Sequence, residues 1–213
     1  MTNWAKVIEG KIRIARQGGK PSKPSGDARI PPGQKRVTDF PVLDLGITPE
    51  IAPQAWKLRL FGLVETERGL DWDDLRALPQ VHSVSDFHCV TRWSQLDMDW
   101  VGVLARDAVA LARPLPTARF VTLHGADGYT TNLPLEALLD DDVVIAHSVF
   151  GAPLAREHGG PVRLVVPKRY GWKSAKWLSA IEFHDQDRPG FWEVRGYHNE
   201  ADPWKEERFS SGA

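Results

Sequence analysis

Short stretches in which apolar and polar residues alternate recur along the chain from residue 37 onward, which is typical of half-buried strands. Residues 56–60 (WKLRL) alternate strictly. We predict further strands over 81–85, 119–123, 143–146, 162–166 and 177–183. We predict helices over 71–78, over 101–112 before Pro114, and from an Asn132 cap to Leu139. Because strands and short helices mix without a regular βαβ repeat, the pattern favours an α+β fold.

Composition narrows the class of protein. The chain has 213 residues, of which 42% are hydrophobic and 26% charged, an ordinary balance for a globular domain. No apolar run approaches the roughly 20 residues of a membrane helix, so we expect no membrane span. A net charge of -1 and a pI near 6.7 argue against a dedicated nucleic-acid-binding protein. GxGxxG and GxxxxGK[ST] motifs are missing, so dinucleotide and P-loop sites lack their main sequence support.

Residues 1–36 differ from the rest in charge and composition. They carry nine Lys/Arg against two Asp/Glu, and residues 17–34 are rich in Gly, Pro, Ser and Lys. We predict a basic flexible arm over 1–36 and one domain over 37–213. A solvated tail is the simpler interpretation of the charge, and contact with an acidic partner is the alternative. The first residues lack the apolar core of a signal peptide and a twin arginine, so we expect a cytoplasmic protein.

The single cysteine, Cys89, lies in the segment 86–94 (DFHCVTRWS) close to two basic residues. A lone cysteine excludes an intramolecular disulfide and a cysteine-rich zinc site, and it fits a reducing compartment. Most single cysteines are buried and unreactive. His88 and Arg92 would nevertheless favour the thiolate, which is either a nucleophile or a soft metal ligand. On the cysteine alone, these interpretations stay open.

Two downstream segments combine cations with turn residues. Residues 166–177 (VPKRYGWKSAKW) follow an apolar strand and hold four Lys/Arg. Backbone N–H groups at a tight turn, Ser174 and these cations suit a bound phosphate, and a solvated basic loop is the alternative. In residues 155–164 (AREHGGPVRL), Arg163 lies inside an apolar strand. A buried arginine needs a partner, which an anionic ligand would supply, although each residue taken singly fits a structural role.

These three segments, in this order, resemble the molybdopterin-binding domain of the sulfite oxidase family, which includes bacterial periplasmic methionine-sulfoxide reductases. The similarity runs from about residue 40 to residue 192. REHGGPVRLVVP followed by GWKSAKWL carries it, and FWEVRGY at 191–197 adds a further match. The resemblance implies a sulfite-oxidase-type fold of mixed sheets with short helices, and a molybdenum–molybdopterin cofactor. It also implies two-electron oxygen-atom transfer with a small-molecule oxo donor or acceptor, and an electron-transfer partner that the sequence does not identify.

The resemblance also assigns roles to residues. Cys89 would be the thiolate ligand of molybdenum, a soft donor for a metal already held by the two dithiolene sulfurs of the pterin. His147 falls at the position of the substrate-side tyrosine of sulfite oxidases, and together with Arg92 we expect it to act on the substrate. A structural histidine is the alternative for His147. The residues expected to hold the pterin and its phosphate are Asp39, Phe40, His88, His124, His158, Arg163, Lys173, Ser174, Ala175 and Lys176.

The sequence departs from sulfite oxidases in ways that bear on the substrate. After Cys89 the run is VTRWS, in which Arg92 is displaced and Trp93 is closer to the reductase pattern. Reduction of a sulfoxide or an N-oxide is therefore the alternative to sulfite oxidation. We expect neither a haem domain nor an immunoglobulin-like dimerisation domain after residue 192. From other classes, a pterin-binding module without catalysis and a metal-free thiol hydrolase built on Cys89 and a histidine also stay open.

Overall fold

The computed structural model of the chain describes residues 4–17 and 27–210. The helices are α1 (Trp4–Gln17), α2 (Trp72–Ala77), α3 (Ala105–Ala110) and α4 (Leu135–Leu138). The strands are β1 (Lys35–Arg36), β2 (Lys57–Gly62), β3 (Arg68–Asp71), β4 (Gln80–Cys89), β5 (Trp93–Leu104), β6 (Phe120–Gly125), β7 (Thr130–Pro134), β8 (Val144–Val149), β9 (Ala152–Pro153), β10 (Arg163–Val165) and β11 (Leu178–His184). Strands with few, short helices confirm the predicted α+β fold. Within the two described ranges, no helix combines the length and the apolar character needed to cross a bilayer.

The strands form two sheets. In the first, β5 is central: it pairs with β4 along its whole length, with β8 near its end and with β1 in parallel at its start. β8 continues this sheet to β10 and β9. The second sheet has the order β3-β2-β11-β6-β7, with β11 parallel to β2 and antiparallel to β6. Segments far apart in the chain therefore lie side by side in both sheets.

Strand alternation accounts for the core. On β2, Leu58 and Leu60 are fully buried while Lys57 and Arg59 are exposed, as the strict alternation of that segment predicts. Trp56, 2% exposed, donates its indole N–H to the Leu178 carbonyl at 2.8 Å. That contact joins the start of β2 to the start of β11, so the second sheet is fixed at one end by a side chain as well as by its ladder.

Two predicted helical features are wrong. Residues 101–104 continue β5, and the helix is confined to Ala105–Ala110. β5 is covered by a strand on each side, and such a strand reads as a continuous apolar run that periodicity cannot distinguish from a buried helix. Asn132 caps no helix, because it lies within β7 opposite Thr122, and α4 begins after Pro134 without a side-chain cap.

The basic N-terminal segment is not an unpacked arm where the structure describes it. Residues 4–17 form α1, whose Ile8 and Ile12 pack against the core. Ile30 is 7% exposed, and the Gln34 side-chain amide donates to a backbone carbonyl of β4 at 3.0 Å. Composition failed here because the apolar i, i+4 spacing of α1 adjoins a Gly- and Pro-rich stretch. Residues 18–26 lie outside the described residues, and the domain boundary at residue 36 stays a prediction.

Candidate active site

One cavity brings together side chains from most of the segments that the sequence singled out. It encloses about 980 Å³ of empty space, including its mouth to solvent. Its walls come from the β4–β5 turn, the loop before β2, the β6–β7 turn and the loops on both sides of β10. The predicted site residues that line it are Phe40, Cys89, His158, Arg163, Ser174 and Lys176. We call it the Cys89 cavity.

Cys89 ends β4 at a turn that holds its sulfur at this cavity. It lies opposite Trp93 of β5, and Arg92, between them, has a left-handed φ of 71°. The Cys89 carbonyl accepts hydrogen bonds from the Arg92 N–H and the Gln34 amide, both at 3.0 Å. Its Sγ lies 3.1 Å from the Thr91 hydroxyl. Burial raises the pKa of the thiol, so a positive charge must favour the thiolate before it can form at neutral pH.

Strand alternation separates Cys89 from its neighbour His88. Phe87 and Cys89 line the cavity, whereas His88 does not. The His88 Nδ1 lies 2.8 Å from the Ser94 hydroxyl, and burial lowers the pKa of this imidazole to about 4. His88 is therefore neutral and is engaged elsewhere. It does not supply the cation that we expected beside the thiol.

The arginine that acts on Cys89 is also not the predicted one. Arg92 does not line the cavity, and its guanidinium faces the Glu206 carboxylate at 3.9 Å. Arg208, which the sequence did not single out, donates to the Val90 carbonyl at 2.8 Å. Its charge lowers the pKa of the Cys89 thiol, against the larger effect of burial. The cation near the thiol thus comes from a segment that is far from Cys89 in sequence, and no local motif predicts it.

An aromatic stack forms one wall of the Cys89 cavity. The Phe40 ring lies parallel to the His158 imidazole, with 4.2 Å between centroids and 5° between planes. Phe40 also meets Phe87 and Trp93 edge-on. Asp39, the neighbouring residue, is exposed and does not line the cavity. Of that predicted pair, the structure places only the aromatic member at the site.

Arg163 is a charge buried without an acidic partner. It is 2% exposed on β10, and its guanidinium donates to the carbonyls of His158 at 3.0 Å and Ser174 at 3.1 Å. Among the described residues, no carboxylate is recorded in an ion pair with it. Burial lowers the pKa of Arg163 to about 10, which still leaves it protonated at neutral pH. The guanidinium also lies over the Phe40, Phe87 and Trp100 rings, 5.3 to 5.8 Å from their centroids. A buried cation with neutral partners fits the expectation of an anionic ligand.

The turn after β10 presents two more polar side chains to the cavity. Gly171–Lys173 forms a 3₁₀ turn, and the Ser174 hydroxyl that follows accepts the Val166 N–H at 3.0 Å. Lys176 donates to the Glu157 carbonyl at 2.6 Å. Burial, with a smaller effect of nearby cations, lowers the pKa of Lys176 to about 8. The ammonium therefore sits at a low-dielectric position where contact with an anion is strengthened.

Lys173 and Ala175 do not line the cavity, and they stabilise the turn instead. The Lys173 ammonium is fully buried, 2.7 Å from Glu193 Oε1 and 3.0 Å from Asn132 Oδ1. The same carboxylate oxygen accepts the Trp172 indole N–H at 2.9 Å. Ala175 is 1% exposed and lies within the core. The predicted contact of Lys173 with the cofactor phosphate is corrected: this lysine neutralises a buried glutamate.

His124 lies beside the cavity rather than in it. Its Nε2 is 3.2 Å from the Glu182 carboxylate of the neighbouring strand. Asp127 and Tyr129, at the turn between β6 and β7, line the cavity in its place. The Tyr129 hydroxyl donates to the Trp172 carbonyl at 2.6 Å, and burial raises its pKa well above the usual range. The predicted element was right, but the residues that reach the site are further along it.

His147 lines a second cavity, which we call the His147 cleft. Its other walls include Trp72, Arg76 and Arg156. Burial, then the Arg76 charge, lowers the pKa of His147 to about 4. The residues on either side of His147 in β8 pair with β5 near residue 101, and Cys89 pairs with β5 at residue 93. These two points on β5 are about eight residues apart, or roughly 25 Å along an extended strand. His147 is therefore too far from Cys89 to act on a substrate there, and the predicted role is corrected.

Sequence reasoning missed most of the aromatic lining. The sequence has nine tryptophans, and tryptophan packs in a core more commonly than it lines a cleft. Four of them line the Cys89 cavity, together with two tyrosines: Trp93, Trp172, Trp177, Trp192, Tyr129 and Tyr197. Their number was the available signal, but only the fold decides which of them face one cavity. The lining forms a largely aromatic and apolar space that Arg163 and Lys176 also border.

This arrangement can be compared with known proteins. Residues 45–192 match the family described as oxidoreductase molybdopterin binding domain. The chain belongs to this family.

Similar proteins support the assignment. The uncharacterized oxidoreductase YuiH of Bacillus subtilis is 44% identical over 193 residues, which cover 90% of this chain and 98% of YuiH. The protein-methionine-sulfoxide reductase catalytic subunit MsrP of Ralstonia nicotianae is 26% identical over 72% of this chain, but only 52% of MsrP is covered. Among solved structures, the sulfane dehydrogenase SoxCD of Paracoccus pantotrophus aligns with a TM-score of 0.60 and 26% identity, over 65% of this chain and 40% of that one.

The residues of the cavity fit the family's cofactor. Among the described residues, no group of three His, Cys, Asp or Glu side chains could hold a metal ion. A metal at Cys89 would therefore need its other ligands from a non-protein group, as the dithiolene of molybdopterin provides. The aromatic walls suit a flat pterin, and Arg163 and Lys176 suit its phosphate. The chain is thus a molybdopterin-binding oxidoreductase.

Proposed function

We propose that the chain catalyses two-electron oxygen-atom transfer at a molybdenum held by the Cys89 thiolate and the dithiolene of molybdopterin. The observation that carries this proposal is one cavity in which the single cysteine, the buried cation Arg163 and the half-buried cation Lys176 occur together. The thiolate suits a soft metal, and the cations suit a phosphate. Membership of the family supports the same assignment.

Each of these residues has a distinct task in the proposed reaction. When bound, the cofactor supplies a metal that changes its oxidation state by two electrons and exchanges an oxygen atom with the substrate. Cys89 holds the metal, and the Thr91 hydroxyl at 3.1 Å can donate a hydrogen bond to the sulfur. Arg163 and Lys176 bind the phosphate, and the stacked Phe40 and His158 rings orient the pterin.

A neutral oxide, either a sulfoxide or an N-oxide, fits the surroundings of Cys89 better than the sulfite anion does. The lining residues that follow Cys89 in the turn are Val90, Thr91 and Trp93, all uncharged, and Arg208, whose charge acts on the thiol, does not line the cavity. Arg92, which would attract an anion, faces Glu206 instead. We therefore favour reduction of the oxide, which consumes two electrons and two protons and releases water. The similarity to MsrP, named as a methionine-sulfoxide reductase subunit, supports this direction.

Two features of the proposal concern the cell. Reduction needs an electron-transfer partner, which we expect to be a separate redox protein. We also propose a cytoplasmic location, in keeping with a chain whose single cysteine can form no intramolecular disulfide. Fractionation of cells that produce the tagged chain tests the location, and recovery in the periplasm would contradict it.

Elemental analysis tests the metal. Protein made in a host that synthesises molybdopterin, in medium with added molybdate, should contain close to one molybdenum per chain. Cys89→Ser should lose nearly all of it, because a neutral hydroxyl is a poor ligand for a soft metal. Ser148→Ala, in the His147 cleft, is the control and should keep the metal. Wild-type protein without molybdenum, or full retention in Cys89→Ser, would refute the proposal.

Turnover assays separate the candidate reactions. Loaded protein is supplied with a reduced dye and small sulfoxides or N-oxides, and in parallel with sulfite and an electron acceptor. We expect faster turnover with a neutral oxide than with sulfite. Faster sulfite oxidation would reverse the favoured direction. Loaded protein inactive with every donor and acceptor would indicate a non-catalytic binding module, and ester hydrolysis by metal-free protein would indicate the thiol hydrolase.

A further inference from the structure

Helix α1 brings a lysine to the Cys89 cavity from outside the region that the family match covers. Lys11 lines this cavity, whereas the match begins at residue 45. Ile8 and Ile12, on the same face of the helix as Lys11, pack against the core. The helix face that carries Lys11 is therefore the face held on the protein, and its position follows from apolar packing rather than from the charge.

Lys11 belongs to a cluster of charges at one end of the cavity. Its ammonium lies 3.9 Å from the Asp44 carboxylate, and its side chain is 28% exposed. Lys176 is close enough that Lys11, Arg163, Asp44 and Asp127 all act on its pKa. Burial lowers the pKa of Lys11 and raises that of Asp127, the responses expected where water is partly excluded.

The balance of this cluster favours an anion. Three cations, Lys11, Arg163 and Lys176, face two carboxylates, Asp44 and Asp127, so a positive charge is left over. A phosphate monoester carries between one and two negative charges at neutral pH and would compensate the excess. Lysine supplies a flexible ammonium that can follow such a group as a point charge.

We propose that Lys11 binds the phosphate of the bound pterin, so that α1 forms part of the cofactor site. The inference rests on the proposed function for the identity of the ligand. Arg163 approaches the phosphate from β10, Lys176 from the loop that follows this strand, and Lys11 from α1. The cofactor is then held between two parts of the chain that are far apart in sequence. Removing Lys11 should weaken its retention without removing the metal ligand.

The test measures retention of the cofactor rather than activity. Loaded wild type, Lys11→Ala, Lys11→Arg and Arg13→Ala are passed repeatedly through a desalting column, and molybdenum and oxidised fluorescent pterin are measured per chain. We expect Lys11→Ala to lose both about tenfold faster than wild type, because one charge-assisted contact is removed. Lys11→Arg should resemble wild type. Arg13 is exposed on the same helix, so Arg13→Ala controls for a lost positive charge.

Two further measurements check that α1 positions Lys11 for contact with the phosphate and that this contact is electrostatic. Ile8→Ser combined with Ile12→Ser loosens α1 while keeping Lys11, and it should also speed cofactor loss. The difference between wild type and Lys11→Ala should shrink in 1 M salt, because the contact is electrostatic and partly exposed. Equal retention in wild type and Lys11→Ala, or equal losses in Lys11→Ala and Arg13→Ala, would overturn this inference alone. Wild type that never binds molybdopterin would overturn the proposed function as well.

Discussion

The Cys89 cavity and the His147 cleft are both lined by a histidine and by basic side chains, yet only one has the properties of a cofactor site. In the Cys89 cavity, Arg163 is 2% exposed, and its partners among the described residues are backbone carbonyls and aromatic rings, all of them neutral. In the cleft, Arg156 is about half exposed and already pairs with Glu50 at 3.4 Å. We infer that the buried Arg163, which has no carboxylate partner among the described residues, still has charge to offer a ligand, whereas solvent and Glu50 already satisfy Arg156.

The largest effect that we expect is on stability, and it concerns the buried ion pair between Lys173 and Glu193 in the turn beside the Cys89 cavity. Glu193→Gln removes the charge that neutralises the buried Lys173, so we expect a loss of about 3–5 kcal/mol in the free energy of unfolding. Urea denaturation at pH 7 measures it. Combining Glu193→Gln with Lys173→Met should cost less than the sum of the single changes, because no buried charge is then left alone. Strict additivity would mean that the pair is not coupled.

A smaller effect compares one cation from each cavity. Lys176→Ala should lower cofactor occupancy about tenfold, because it removes a half-buried charge from the proposed phosphate site. Arg156→Ala, in the His147 cleft, should leave occupancy unchanged, although both variants lose one positive charge. Molybdenum and pterin per chain, measured on freshly purified protein, give the result. Similar losses in both variants would remove the distinction between the two cavities.

The smallest effect that we expect is on the pH dependence of stability, and it comes from His147 in the His147 cleft. The pKa of His147 is lowered to about 4, so the folded state resists a proton that the unfolded chain accepts below its ordinary value near 6.5. Stability from this group is therefore present above pH 6.5 and is lost as the pH falls towards 4. His147→Phe should show a smaller drop in Tm between pH 7 and pH 4.5 than wild type.

The control for that measurement is a histidine in solvent. His82 has a side chain that is 77% exposed, and His82→Phe should keep the wild-type pH dependence of Tm. Cofactor content should stay intact in His147→Phe, because His147 lies outside the Cys89 cavity. Loss of cofactor in this variant would show that the cleft and the cavity are coupled, and an unchanged pH dependence would refute the role of burial.

The sequence predicted the elements and part of the site for identifiable physical reasons. Alternation marked the half-buried strands, and the collinear motifs brought Cys89, His158 and Arg163 to one cavity. The same motifs could not decide orientation, because adjacent residues of a strand or turn face opposite ways. The predictions that His88 and Lys173 contact the cofactor were wrong for that reason. Arg208 and Lys11 could not be predicted from the sequence, since only tertiary packing brings their segments to the site.

The contacts of Arg208 have a consequence for the order of events during synthesis. Its guanidinium binds the carbonyl of Val90, next to Cys89, and its charge favours the thiolate. The ribosome makes Arg208 long after Cys89, and the aromatic walls at Trp192 and Tyr197 also come late. A nascent chain that stops short of these residues has the cysteine without the surroundings that it has in the folded domain. We therefore expect the cofactor to be inserted after translation, as a step in maturation.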